Sequence, residues 1–340
     1  MVTGTAMNWY PWLNHSYKQI IAQHVAQRGH HALLIQALPG MGDDALIWGI
    51  GRWLMCRQPE GLKSCGKCHA CALMLAGNHP DWYQLEAEKG KNALGIDAVR
   101  GVTDKLYHYA QQGGAKVVWL PDAQQLTEAA ANALLKTLEE PPKNTWFLLS
   151  SREPSRLLPT LRSRCLLWHL APPDEGQSLQ WLQKHCAAGL NERSAALRLS
   201  AGAPAAALAF LDEKTWQQRL QLCQALPAAL SDDLLSLLPV LHHDDVARRI
   251  AWLCSLLVDA VKWQQGGGQF ISNIDQQAVV IHLASLLPSS VLDASLRQWM
   301  VCRDRLLTVV AVNRELLLTQ QLLSWESIIK PVFSDSAFKE

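Results

Sequence analysis

Ala37-Leu38-Pro39-Gly40-Met41-Gly42-Asp43-Asp44 is the stretch on which the fold turns. It occupies the place of the phosphate-binding pattern G-x-x-x-x-G-K-[ST]. An apolar strand, Ala32-Leu33-Leu34-Ile35, precedes it and a helical run from Ala45 to Met55 comes after it. Strand, loop and helix in that order are the context such a loop requires. Its chemistry is missing, however. Ala37 stands for the first glycine, Asp43 for the lysine and Asp44 for the hydroxyl residue. The lysine would neutralise terminal phosphates and the hydroxyl would hold magnesium. A carboxylate there repels phosphate instead, by roughly 4 kcal/mol per unit pair at ~4 Å and an effective dielectric of about 20. Replacing a cation by an anion doubles that penalty. The loop predicts the architecture of a nucleotide-binding domain without its reaction.

Outward from the loop, the pattern to Leu170 is that of an α/β domain. Strands are predicted at 32–35, 82–85, 116–120, 145–149 and 166–170, with helices near 48–55, 96–109 and 127–140. Such alternation predicts a doubly wound parallel sheet. Pro141-Pro142 ends the third helix. Ala171-Pro172-Pro173-Asp174 reads as a boundary, beyond which the strand signal vanishes. Short helices are predicted at 177–186, 192–200 and 204–211, with Gly202 and Pro204 as punctuation. From Lys214 the chain is Leu-rich and helical, with i, i+3, i+4 spacing over 246–263 and 296–323. Gln265-Gly266-Gly267-Gly268-Gln269 reads as a flexible loop. The expected domains are therefore 1–171, 172–213 and 214–340.

Cys56, Cys65, Cys68 and Cys71 form C-x8-C-x2-C-x2-C in a polar stretch after the first helix. Four thiolates suit tetrahedral zinc, and a closed shell of four leaves no position for catalysis, so a structural site is expected. It would fold an insertion too small for its own core. His69 adjoins Cys68 and is poorly placed to replace it, whereas His79 is an alternative fourth ligand. Buried free thiols and a redox pair are the other readings. Cys165, Cys186, Cys223, Cys254 and Cys302 are scattered and read as buried apolar residues.

Nine cysteines, an odd number with four bunched, fit a reducing compartment and a metal site better than a disulfide framework. No apolar stretch reaches the ~18–20 residues of a membrane span, and no signal peptide is evident, so a cytoplasmic chain is expected. Met1–Ala6 differs in character from the residues after it; it is set aside as a cloning remnant, with Met7 as the natural start. The net charge of +1 announces no nucleic-acid surface, so any such contact must be local. The 14 tryptophans are read as core and interface packing rather than base stacking.

Asn132-Ala133-Leu134-Leu135-Lys136-Thr137-Leu138-Glu139-Glu140-Pro141-Pro142 makes the reading specific. This segment resembles the signature helix of bacterial DNA polymerase III clamp-loader subunits, which are AAA+ proteins. Thr160-Leu161-Arg162-Ser163-Arg164-Cys165 resembles their Ser-Arg-Cys motif. His30-His31-Ala32-Leu33-Leu34 and Asn313-Arg314-Glu315-Leu316-Leu317-Leu318 also fit, so the resemblance spans nearly the whole chain.

The resemblance implies an AAA+ domain with a zinc insertion, a helical lid and a C-terminal helical collar. It exposes further losses in the chain's own site. Where the family strand ends in Asp-Glu, this one runs Val117-Val118-Trp119-Leu120 into Pro121-Asp122, and Asp122 reads as a turn or cap residue. The sensor position, Ser150-Ser151-Arg152, is ambiguous, and the lid's sensor arginine falls near Ala205. The resemblance further implies that Arg164 acts in trans on a neighbour's ATP, with Ser163 supporting it and Cys165 packing. The competing reading is an ordinary surface arginine satisfied by Glu139 or Glu140. The implied partners are the delta subunit, the tau/gamma ATPase subunits, the beta sliding clamp and primed DNA. The implied function is that of a non-hydrolysing ring subunit. An active tau/gamma-like ATPase is the rival, and a DNA-binding zinc protein the third reading.

Overall fold

The computed structural model describes residues 7–88, 90–91, 93–309 and 311–336, so Met1–Ala6 and its reading as a cloning remnant lie outside the described residues. The chain divides into two compact units, 1–173 and 174–340.

In the first unit the strands are β1 (Ala32–Ala37), β2 (Trp82–Gln84), β3 (Lys116–Leu120), β4 (Thr145–Ser151) and β5 (Leu166–Leu170). They form one parallel sheet in the order β2-β3-β4-β1-β5. The helices are α1 (Leu13–Val25), α2 (Asp43–Met55), α3 (His69–Leu75), α4 (Ile96–Leu106), α5 (Glu128–Glu139) and α6 (Pro159–Arg162). Every β3 residue is buried, as expected of a parallel strand covered on both faces. On one face Leu34, Val118, Phe147 and Leu149 pack with Val99 of α4 and Leu134 of α5. On the other, α2 approaches closely. Trp82 lies 5.5 Å from Trp48 and 5.8 Å from Trp119 between ring centroids, and a Cβ on Gly51 would come within 2.2 Å of Trp82. Only glycine fits there.

Helix ends follow local chemistry. Thr127 caps α5, its Oγ1 accepting from the Ala130 amide at 3.2 Å. Pro141-Pro142 stops that helix where expected. The helix predicted over 96–109 ends three residues earlier, at Leu106. The predicted strands are all present, with β1 and β4 each extending two residues further. Three helices of this unit escaped the sequence reading, among them the four-residue α6. Another is α1, whose weak periodicity buries only Leu13, Ser16, Ile20 and Ile21. The third is the short α3, built around Cys71.

The second unit is all helical: α7 (Glu175–His185), α8 (Leu190–Leu199), α9 (Pro204–Phe210), α10 (Glu213–Ser231), α11 (Leu238–Leu241), α12 (Val246–Gln264), α13 (Gln277–Leu286), α14 (Ser289–Thr308) and α15 (Arg314–Ser336). A small cluster around Leu182, Ala196 and Trp216 joins α7–α9 to the start of α10. A larger one around Leu226, Leu256, Trp299 and Trp325 holds α10–α15. Phe210 and Ile274 pack against both. The continuous run predicted over 296–323 is two helices. Ala311 takes a left-handed φ of 61°, which a helix cannot continue, and Asn313 restarts the chain by accepting from the Leu316 amide at 3.0 Å.

The segment at 270–273, directly after the loop expected to be flexible at 265–269, is tied down. Lys262 donates to the Phe270 carbonyl at 3.0 Å and Arg198 to the Ile271 carbonyl at 2.7 Å. Asp259 accepts from the Ser272 and Asn273 amides at 2.8 and 2.7 Å. Arg219, fully buried, pairs with Asp275 at 2.7 and 2.9 Å and with Asn273 at 2.8 Å. No single helix among the described residues is long and apolar enough to cross a membrane.

Removing one partner of a buried pair strands the other charge. Arg219→Ala is therefore expected to lower stability by about 3–5 kcal/mol, measured by urea denaturation at neutral pH.

Candidate functional site

In a parallel sheet all the strands end on the same edge, so the loops after β1, β3 and β4 converge there. The β1 loop makes the turn expected of a phosphate-binding strand–loop–helix unit. Gly40 and Gly42 both adopt φ of 79°, and Gly42 is the residue from which α2 starts. A Cβ on Gly42 would lie 2.5 Å from the Tyr10 ring, so glycine is required there for space as well as for backbone conformation. Met41 is fully buried, and its carbonyl accepts from the Trp12 indole at 2.8 Å. Tyr10 stacks on Trp12 with ring centroids 4.7 Å apart. Burial, and after it the Asp44 carboxylate, raises the pKa of the Tyr10 hydroxyl.

Asp43, in the lysine position, points inward; its side chain is 6% exposed. Its partner is Arg152, one residue past the end of β4, with Nη1 2.9 Å from Oδ1. The same nitrogen donates to the Ala37 and Leu38 carbonyls at 3.0 and 3.4 Å. Asp122 accepts from the Gln124 amide at 3.0 Å and so caps the turn after β3, leaving its carboxylate committed to the backbone. Arg152 is the residue that sequence reading left ambiguous. No local pattern in the sequence could have found it, because the burial of Asp43 and the pairing of β4 with β1 emerge only in the fold.

Arg164 and Ser163 lie at the end of α6. Arg164 donates through Nε to Glu139 Oε1 at 2.7 Å, through Nη2 to the same oxygen, and through Nη1 to the Thr160 carbonyl at 2.6 Å. Within the chain, then, the bland alternative for Arg164 is the contact observed. Ser163 closes the helix by donating to the Thr160 carbonyl at 3.1 Å. Cys165 packs against the α4–α5 core, where burial pushes its thiol up to about 12. Ala205 lies in the first turn of α9.

Cys56, Cys65, Cys68 and Cys71 do come together, with all four sulfurs within 4.8 Å of one another. Cys56 follows α2, Cys68 begins α3 and Cys71 lies within it. The sulfurs of Cys56 and Cys65 are 3.5 Å apart and those of Cys65 and Cys71 4.0 Å. Tetrahedral zinc, with bonds near 2.3 Å, separates its sulfurs by about 3.8 Å. Backbone amides support the thiols: Cys65 N donates to Cys56 Sγ at 3.3 Å and Cys68 N to Cys65 Sγ at 3.4 Å. With protein groups alone, burial pushes the Cys71 thiol up to about 12. At Cys68, burial is outweighed by hydrogen bonds from the Arg57 and Cys71 backbone, and the thiol falls to about 6. A cation would let all four ionise together. The cluster can hold a metal ion. His79 instead accepts from the Asp81 amide at 3.2 Å, and His69 is exposed.

Three family models match consecutive parts of the chain. They are described as DNA polymerase III, delta subunit, over residues 12–174; DNA polymerase III subunit delta', AAA+ ATPase lid domain, over 173–212; and DNA polymerase III, delta subunit, C terminal, over 213–327. A DNA polymerase III subunit delta' from Yersinia pestis is 57% identical over 329 residues, covering 95% of this chain and 97% of that protein. Its counterpart from Escherichia coli (strain K12) is 54% identical over 326 residues, 96% of this chain and 97% of that protein. A DNA polymerase III subunit tau/gamma from Haemophilus influenzae is 33% identical over 155 residues, but these make up only 46% of this chain and 22% of that protein. Similarity that runs from end to end with one subunit type, and stops short of half the chain with the other, decides between them: the chain belongs to the delta' subunit family of DNA polymerase III.

Proposed function

We propose that this chain is a non-hydrolysing subunit of the DNA polymerase III clamp loader, the cytoplasmic ring that places the beta sliding clamp on primed DNA. The observation that carries the reading is the state of the lysine position. A buried carboxylate sits there, already paired with the chain's own arginine, so nothing at that point attracts a nucleotide triphosphate. The turn after β3 offers no pair of carboxylates for magnesium, since Pro121 precedes Asp122. These two features argue against an active tau/gamma-like ATPase.

The contribution to catalysis is proposed to be Arg164, presented to the ATP of an adjoining tau/gamma subunit, with Ser163 holding the turn that carries it. The contact with Glu139 is compatible with that task. Glu139 is half exposed, and exposed ion pairs are worth about 0–1 kcal/mol, so exchanging the partner costs little. An arginine finger contributes ~10³–10⁵ in rate, far more than that loss. In this reading residues 1–171 lie between the delta subunit and that ATPase, residues 172–213 form the lid, and residues 214–340 form the collar through which the ring is held. The four-cysteine module carries structural zinc.

In a reconstituted clamp loader with clamp and primed DNA, Arg164→Ala is expected to abolish the share of ATP turnover that belongs to the adjoining site, a fall of ~10³ or more at that site. Size-exclusion chromatography should show the ring still assembled. Unchanged turnover would reduce the chain's role to geometry.

For the metal, elemental analysis of the purified chain is expected to find about one zinc per chain. Cys71→Ser should lose most of it, and chelation should open residues 56–76 to protease. A chain that purifies without metal and gains no protease resistance from added zinc would sink the assignment.

A further inference from the structure

We infer that the relics of the nucleotide motifs in this chain are joined to one another, and that the resulting run of internal bonds, Asp122–Gln124–Arg152–Asp43, replaces a nucleotide as the element that fixes loop 37–42. The inference rests on the reading that the chain turns over no ATP of its own. It begins at the turn after β3, where the Asp122 carboxylate accepts from the Gln124 amide at 3.0 Å. The Gln124 side-chain oxygen then accepts from the Arg152 amide at 3.2 Å, tying that turn to the end of β4. The Arg152 guanidinium crosses to the β1 loop and holds two of its carbonyls and the Asp43 carboxylate.

Charge balance explains why the run closes on Asp43. In a working loop a lysine of the protein and the phosphates of the ligand neutralise each other. Here both charges are built in, the anion on the loop and the cation on the neighbouring strand end. A buried carboxylate deprived of its cation is strongly unfavourable, so the loop keeps its position only while Arg152 stays. The loop needs such an anchor because two of its residues are left-handed glycines, which have the most backbone freedom to lose. Arg152 holds it from the sheet side. Trp12 and the Tyr10 ring hold it from the segment before α1.

Amide hydrogen exchange of the full chain, followed by mass spectrometry over residues 37–46, tests this. Arg152→Gln and Asp43→Asn are each expected to speed exchange there about tenfold or more, the loss of one charge-assisted contact. The double variant should exchange no faster than the faster single one, because both remove the same bond. Gln124→Ala, which only unhooks Arg152 from the β3 turn, should raise exchange in the same segment by less. Exchange over 189–260 serves as the control for intact folding, and Gln124→Ala keeps the test alive if a charge variant fails to fold. Loop exchange equal to the parent in Arg152→Gln, or in Gln124→Ala where the charge variants do not fold, would overturn the inference. So would effects that add in the double variant. Protection of the parent loop by magnesium ATP is a separate arm: it would overturn the underlying reading, and the inference with it.

Discussion

The parallel register of β3, β4 and β1 is the constraint on which the first unit depends. Leu120 pairs with Leu149, and Ile35 with Ser150, so three strand ends arrive together at one edge. That arrangement is what a nucleotide site requires, and the chain retains it although the site's chemistry is gone. The apolar cluster between the sheet and α4–α5 holds the fold without any residue of the 37–44 loop. Loss of the lysine, the hydroxyl and the acidic pair therefore costs the core nothing. Its cost is local: Asp43 is a charge in a desolvated place and must be neutralised.

Arg152 meets that local requirement, and the way it does so shows where sequence reading stops. The strands were legible because β-rich apolar runs between helical segments admit few arrangements. The cysteine cluster was legible because its spacing brings thiols to one point. The pairing of Asp43 with Arg152 joins residues 109 positions apart and depends on the strand order, which no local pattern reports. The helical unit fails differently. Its Leu-rich periodicity fixes helices but not their breaks, and the break after Thr308, with Val309 extended and Ala311 left-handed, carries no sequence mark. The loop at 265–269 looked free because glycines dominate it. Its anchors, Arg198 and Asp259, are remote side chains that reach its flanks.

The two arginines at the edges of this domain separate by environment rather than by chemistry. Arg152 faces a carboxylate whose side chain is 6% exposed; breaking that pair would leave a buried charge without water to solvate it. Arg164 faces a carboxylate that is 48% exposed, and water can take over either partner at little cost. The first guanidinium is committed to its own chain. The second can be given up to a stronger anion, and a terminal phosphate, with more charge and a planar-fork match for its oxygens, is such an anion. In the proposed ring, cation function lost from one side of the domain is retained on the other, where it serves a different subunit's nucleotide.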